Sequence, residues 1–165
     1  MKMAARLALI AVVAGAAFWL WTVLFPGPEK IVLRKISSLA ATATVNSTDG
    51  AATRAIKVSN LIGYFSTDAE INFDVTGVGA RTLSGRDEIR EAAAGGLGSV
   101  ASLQVQFQDA TARIGLDRQS AEVSCTARVN ANNSQDFGVQ ELRFQLRKIE
   151  GDWLITRAET VKTLQ

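Results

Sequence analysis

Few side chains in this sequence are suited to acid–base or nucleophilic chemistry. The chain of 165 residues contains no histidine, one cysteine and one tyrosine. Histidine is the commonest general base and a frequent zinc ligand, so the residue most often used for either role is missing. Any catalysis would have to use a carboxylate, a lysine, Tyr64 or Cys125.

Cys125 lies in a run of alternating apolar and polar residues, on the same face as Val123, Ala127 and Val129. This alternation is typical of a strand with one buried face. The neighbours are apolar and no histidine is present to take the thiol proton, so we predict a small buried side chain that lines the interior rather than a nucleophile. A single cysteine also excludes an intrachain disulfide.

Asp74 and Tyr64 are candidates for catalysis only through the family resemblance described below, which implies a carboxylate base and a hydroxyl donor. Tyr64 ends a predicted helix, and Asp74 lies in a predicted strand at 69–75. Alternate residues of a strand point to opposite faces, so a one-residue bulge would be needed to turn Asp74 inward. We therefore expect no catalytic residue at these positions. The same resemblance implies a pocket whose lining residues are apolar: Ile71, Phe73, Val75, Cys125, Leu142 and Phe144.

Composition indicates one globular domain with a short extra segment. Hydrophobic residues make up 47% of the chain and charged residues 21%, which is typical of a globular protein. The length of 165 residues fits one domain and a short additional segment. The 18 basic and 16 acidic residues are spread along the chain, which argues against a nucleic-acid partner. The glycines form no phosphate-binding motif, and the sequence predicts neither a cofactor nor a metal.

An uncharged N-terminal run covers residues 7–25, beginning at Leu7 and ending at Phe25. This length is close to the roughly 20 residues that cross a bilayer core as a helix. Ala14-Gly15-Ala16 would also suit a signal peptidase, but cleavage there would leave a very apolar terminus in water. We therefore predict an uncleaved signal anchor and linker at 1–28. Lys30, Arg34 and Lys35 follow the run and oppose the bias set by Lys2 and Arg6, so the count of charges alone does not fix the orientation. From the short basic start we predict the N-terminus in the cytoplasm and the domain, at 29–165, in the periplasm or another extracytoplasmic space.

The periodicity of the soluble part predicts an α+β domain with three helices on a curved antiparallel sheet. Helical spacing covers 29–45 and 51–65, and a third helix begins after Ser84, which is placed as its N-cap. The predicted strands are 69–75, 81–83, 99–116, 120–130, 137–149 and 152–164.

One face of the predicted sheet is polar, and it is either solvated or an interface for a homodimer or an envelope protein. Its residues are Gln104, Gln106, Gln108, Arg128, Glu141, Arg143, Gln145 and Arg147.

Four stretches carry a resemblance to a known superfamily. They are 61–71, the segment 83–91 that contains Ser84-Gly85-Arg86, 141–146 and 151–157. In order and spacing they resemble the SnoaL-like and nuclear-transport-factor-two-like superfamily, which includes ketosteroid isomerase. The resemblance implies a cystatin-like cone with a pocket that is used by enzymes, binders and inert assembly modules alike. An isomerase-like member would carry its aspartate base where this chain has Phe73.

These observations favour a membrane-anchored, non-enzymatic binding or assembly module of the cell envelope. The cone pocket would take a small apolar ligand, or the sheet face would take a protein partner. The alternative is an isomerase- or dehydratase-like enzyme with Asp74 as its base. A third reading is a structural subunit whose anchor packs against other membrane helices through small residues.

Overall fold

The computed structural model describes residues 27–75, 79–132, 134 and 138–161, together with Gly15. This part of the chain forms three helices and one sheet of six strands. The helices are α1 (Pro28–Ala43), α2 (Ala51–Ile62) and α3 (Gly85–Ser99). The strands are β1 (Phe65–Val75), β2 (Gly79–Ser84), β3 (Leu103–Ile114), β4 (Ser120–Ala131), β5 (Gly138–Ile149) and β6 (Asp152–Thr160).

The strands are ordered β2-β1-β6-β5-β4-β3 across the sheet. The last four strands form the predicted antiparallel meander, which is confirmed. β1 and β6 pair in parallel, which brings the first hairpin beside the last strand of the chain. The predicted α+β architecture is therefore correct, with the first hairpin joined to the meander by this parallel pair.

Irregular pairing bends the sheet around the helices. In β3 the register shifts between Gln108 and Thr111, and Asp109 has a φ of 53°. This is a β-bulge, which increases the local twist, and Asp is one of the residues that tolerates positive φ. A second shift separates Phe65 from Glu70 where β1 pairs with β6. The inner face is concave as a result.

The core lies between the concave face and the helices. α1 buries Val32, Ile36 and Leu39, which share one stripe because they are spaced at about one helical turn. Alternate residues of the sheet meet this stripe, among them Val123 and Leu146, which are both almost fully buried. The helices and sheet therefore form one core.

The predicted boundary between α2 and β1 is wrong. α2 ends at Ile62, and Phe65 already begins β1 rather than ending a helix. α3 passes through Gly95 and Gly96 and ends at Ser99. The helix is held at its far end because Leu97 is buried, and because the Arg54 guanidinium donates to the carbonyl oxygens of Leu97 and Val100.

Ser84-Gly85-Arg86 joins β2 to α3. Ser84 is the N-cap residue as predicted, but its side chain makes no capping hydrogen bond. Its backbone N–H instead donates to Glu88 Oε2 at 2.8 Å. Gly85 has a φ of +80°, which a residue with a side chain rarely adopts. Arg86 donates from Nε and Nη2 to the Phe65 carbonyl oxygen, at 2.8 and 2.5 Å, and fastens α3 to the start of β1.

The predicted anchor at 7–25 lies outside the described residues except for Gly15. Among the helices that the structure does describe, none combines the length and the apolar character that crossing a bilayer requires.

Candidate functional site: the cone cavity

An apolar cavity of about 210 Å³ lies between the helices and the concave face of the sheet. α1 contributes Leu39 and Ala43, one turn apart, and α2 contributes Leu61. The sheet side is formed by inward-facing residues of four strands, because alternate positions of each strand face the helices. These residues are Phe65, Ile71, Phe73, Phe107, Leu142, Phe144 and Ala158.

An aromatic pair forms part of the wall. The ring centroids of Phe107 on β3 and Phe144 on β5 are 5.6 Å apart, with an angle of 58° between the ring planes. Tilted pairs of this kind are favourable because the edge of one ring meets the face of the other. The pair gives the cavity a shaped apolar surface.

Three polar residues also border the cavity, Asn72, Glu159 and Thr160, and their side chains have partners within the chain. Asn72 and Glu159 alternate with the inward-facing Phe73 and Ala158, so their side chains lie on the outer face of the sheet. The Glu159 carboxylate pairs with Arg143 at 3.4 Å and with Arg157 at 3.8 Å. Thr160 Oγ1 accepts a hydrogen bond from the Asp74 backbone N–H at 3.0 Å. Asn72 Oδ1 accepts one from the Thr82 hydroxyl at 2.7 Å. The apolar residues therefore dominate what the cavity can recognise.

The structure brings together four of the six predicted pocket residues. Ile71, Phe73, Leu142 and Phe144 all lie in the cavity wall. The side chain of Val75 lies outside the described residues.

The prediction that Cys125 lines the pocket is corrected by the structure, in which Cys125 lies in the core beside the cavity and not in its wall. It faces Leu142 across the β4–β5 pair, and the longer leucine side chain reaches the cavity instead. Its exposed fraction is 6%, and burial raises the pKa of the thiol to about 11. At neutral pH it is a protonated, packed side chain.

Tyr64 and Asp74 do not meet. They lie at opposite ends of β1, and ten residues of extended chain span roughly 30 Å. The Tyr64 hydroxyl lies 3.3 Å from Thr42 Oγ1, and Lys35 Nζ is 5.8 Å from its ring centroid. Asp74 borders a depression of about 270 Å³ beside Arg81, and this depression adjoins the cavity but does not contain Tyr64. One small substrate cannot contact both groups.

Sequence reasoning missed the helical side of the cavity, which is made by Leu39, Ala43 and Leu61. Their apolar spacing predicts that they face the core. It does not show where the helices leave a gap over the sheet. Phe107 was also missed, although the alternation of β3 places it on the inner face.

No known protein-family model and no curated protein sequence matches this chain. Solved structures do match it, and the similarity is one of fold. An NTF2-like protein of unknown function from Pseudomonas putida aligns with a TM-score of 0.63 at 11% identity, over 83% of this chain and 87% of that one. This chain has the cystatin-like, nuclear-transport-factor-two-like fold.

Two further structures, both from Novosphingobium aromaticivorans, have the same architecture. One is an NTF2-like protein with a cystatin-like fold, at a TM-score of 0.59 and 19% identity, over 96% of this chain and 86% of that one. The other is provisionally named a scytalone dehydratase and aligns with a TM-score of 0.59 at 14% identity, over 81% of this chain and 82% of that one. At these identities the similarity concerns the fold, and the activity has to be argued from the cavity.

Proposed function

We propose that this domain is a membrane-tethered, non-enzymatic binding module of the cell envelope, whose cone cavity holds a small apolar ligand. The observation that carries the proposal is the apolar cavity of about 210 Å³. An engineered apolar cavity of about 150 Å³ in another protein binds benzene. A compound with one substituted ring or a short aliphatic chain therefore matches the size and the polarity of this cavity.

The positions of the ionisable groups support binding rather than turnover. Tyr64 and Asp74 are separated by most of the length of β1, and Glu159 is held by two arginines. General acid–base catalysis requires a group within hydrogen-bond reach of the reacting atom. In the part of the chain that the structure describes, no acid and base converge on the cavity.

The uncharged run at 7–25 supports the membrane tether, with the N-terminus in the cytoplasm and the domain outside it. Apolar compounds concentrate in bilayers, so a tethered domain would meet its ligand at a raised local concentration. Fractionation of cells that express the full chain, followed by protease treatment of spheroplasts, tests the tether. We expect the chain in the membrane fraction and the domain to be digested from outside. A chain that remains soluble, or a domain that is protected, would contradict this arrangement.

Toluene is a suitable probe of the cavity because it is close to the expected ligand in size. We would titrate it into the full chain in lipid nanodiscs, with empty discs as the blank. Ala43→Leu adds volume inside the cavity and should weaken toluene binding at least about tenfold, since filling the space removes the buried apolar contact. Ala52→Leu, on an exposed position of α2, is the matched control and should leave binding unchanged. Failure of the wild-type chain to bind toluene, or equal binding by both variants, would refute the proposal.

A carboxylate-dependent isomerase or dehydratase is the second candidate. It is favoured because Asp74 borders a depression of about 270 Å³ that shares four residues with the lining of the cavity: Asn72, Phe73, Glu159 and Thr160. A compound that copurifies with the full chain, identified by native mass spectrometry, would be incubated with wild type and Asp74→Asn. Conversion by the wild type alone would establish this activity, and an unchanged compound in both would exclude it for that compound.

The outer sheet face remains a candidate surface for a homodimer or an envelope partner. Arg157 pairs with Glu70 and Glu159 there, and Arg143 also pairs with Glu159. A second copy could exchange these ion pairs across a two-fold axis. Native mass spectrometry of the full chain would count the subunits, and Arg143→Glu should dissociate a dimer that uses this face.

A further inference from the structure

A groove of about 790 Å³ lies on the outside of the domain between β2 and α3. Phe73 and Leu83 provide apolar surface, while Arg81 on β2 and the carboxylates Glu88 and Glu91 on α3 make the rest polar. The groove is several times larger than the cone cavity. It could hold a chain that continued out of the cavity.

The groove and the cavity meet at one side chain. Among the residues that the structure describes, their linings have a single residue in common, Phe73. Phe73 is half-buried on β1, opposite Arg81 on β2, and it also borders the smaller depression beside Asp74. That depression shares three residues with the groove and four with the cavity, and Phe73 is the one described residue that borders all three spaces.

We propose that Phe73 is the residue that sets the upper size limit of the ligand, by closing the cone cavity off from the outer groove. The inference rests on the proposed binding function and adds a specificity to it. With the partition in place the site holds a compact apolar molecule of one ring or a short chain. It excludes long aliphatic chains such as those of membrane lipids.

This selectivity matters for a domain held at a bilayer. Lipid chains would be present in large excess over any small apolar compound, and an open path from groove to cavity would admit them. Two features support the assignment to Phe73. The cavity is too small for a long chain, and the neighbouring groove, with Leu83 as further apolar surface, is large enough to extend it.

A homologous series of 1-alkanols, from butanol to decanol, tests the partition. We would measure each affinity by calorimetric titration of the full chain in nanodiscs and subtract titrations of empty discs. For the wild type, affinity should rise about fourfold for each buried methylene until the cavity is full and then stop rising. For Phe73→Ala it should continue to rise through the series, about sixtyfold for every three methylenes beyond the wild-type limit.

Phe107→Ala is the matched control, because it removes the same ring from the cavity wall without touching the groove. For Phe107→Ala the affinity should rise for a small number of methylenes beyond the wild-type limit and then level off. Thermal unfolding of each variant checks that it is folded, and Phe73→Leu replaces Phe73→Ala if the alanine variant is not.

Two results would overturn the inference, and they are distinguishable. If the wild type shows a limit and the Phe73 variants level off at the same chain length, the partition is refuted and the cavity site stands. If the wild type binds no alkanol and no toluene, the proposed binding function fails and the partition fails with it.

Discussion

Arg54 on α2 joins three segments of the chain through its guanidinium group. Nε donates to the Asp49 carbonyl oxygen at 3.0 Å, and Nη1 donates to those of Leu97 and Val100 at 2.6 and 2.7 Å. Nη2 donates to the Ala101 carbonyl oxygen at 3.1 Å. Helix ends leave carbonyl groups without partners, and here one arginine satisfies that of Leu97 in the last turn of α3 and those of the two residues that follow the helix. Arg54→Met removes all four hydrogen bonds and retains most of the apolar stem.

The loss of stability should be substantial for a partly exposed residue. Hydrogen bonds from a charged donor contribute about 1.5–3 kcal/mol each when they are well shielded. Water can replace the guanidinium at a partly exposed site, so we discount each bond to roughly 0.5–1 kcal/mol. Four bonds then give about 2–4 kcal/mol, which lowers the melting temperature of a domain of this size by about 10 °C.

Thermal unfolding and amide hydrogen exchange of the full chain would test this value. Exchange should accelerate first in the last turn of α3, because its carbonyl groups lose their partner. Arg90→Met is the matched control, since Arg90 is 53% exposed and makes only an i,i+3 ion pair with Asp87. Such surface pairs contribute less than about 0.5 kcal/mol. If the two variants have the same melting temperature and the amides of α3 exchange as slowly as in the wild type, the capping role of Arg54 is refuted.

Three further predictions concern other parts of the fold. Gly115→Ala should lower the free energy of unfolding by about 1–3 kcal/mol, because the new methyl group would overlap the side chains of Asp117 and Ser120. Gly96→Ala, in open space on α3, should raise it by about 0.5–1 kcal/mol. Thermal unfolding of the two variants checks both signs. The hydrogen bond from Lys57 lowers the pKa of the Asp49 carboxyl below its ordinary 3.8. This carboxylate therefore stabilises the fold above that pH, and the stabilisation is lost as the pH falls through the lowered pKa. The melting temperature of the wild type should fall more than that of Asp49→Asn between about pH 5 and about pH 2.5, and parallel curves would contradict the assignment. The buried Cys125 thiol should react slowly with a maleimide in the folded chain and rapidly after denaturation, and rapid reaction in the folded chain would show that the side chain is accessible.

The sequence predicts the parts of the fold that local periodicity controls. The alternation of β4 and β5 gives their bounds to within a residue, and the apolar stripe of α1 identifies its buried face. The parallel pairing of β1 with β6 has no local signal, because it joins segments about 90 residues apart in the sequence. The contact that holds the C-terminus of α3 has no local signal either, since the arginine that makes it lies on a different helix.

The candidate site was predictable on the sheet side only. Alternation assigned Ile71 and Phe144 to the interior, and both lie in the cavity wall. Leu39 and Leu61 also face inward by helical spacing, but only the packed structure shows that a space remains between them and the sheet. The groove between β2 and α3, and the position of Phe73 between groove and cavity, depend on how the hairpin meets the helix.

The joint at Ser84-Gly85-Arg86 bears on how relationships among such proteins are recognised. Gly85 supplies a backbone angle, and Arg86 supplies two hydrogen bonds to the Phe65 carbonyl group. Neither lines the cavity. Substitutions in the cavity wall can therefore change what the cavity accepts while this connection between strand and helix stays intact. A comparison meant to transfer function between proteins of this fold should be made at cavity positions such as Phe73, and not at the triplet.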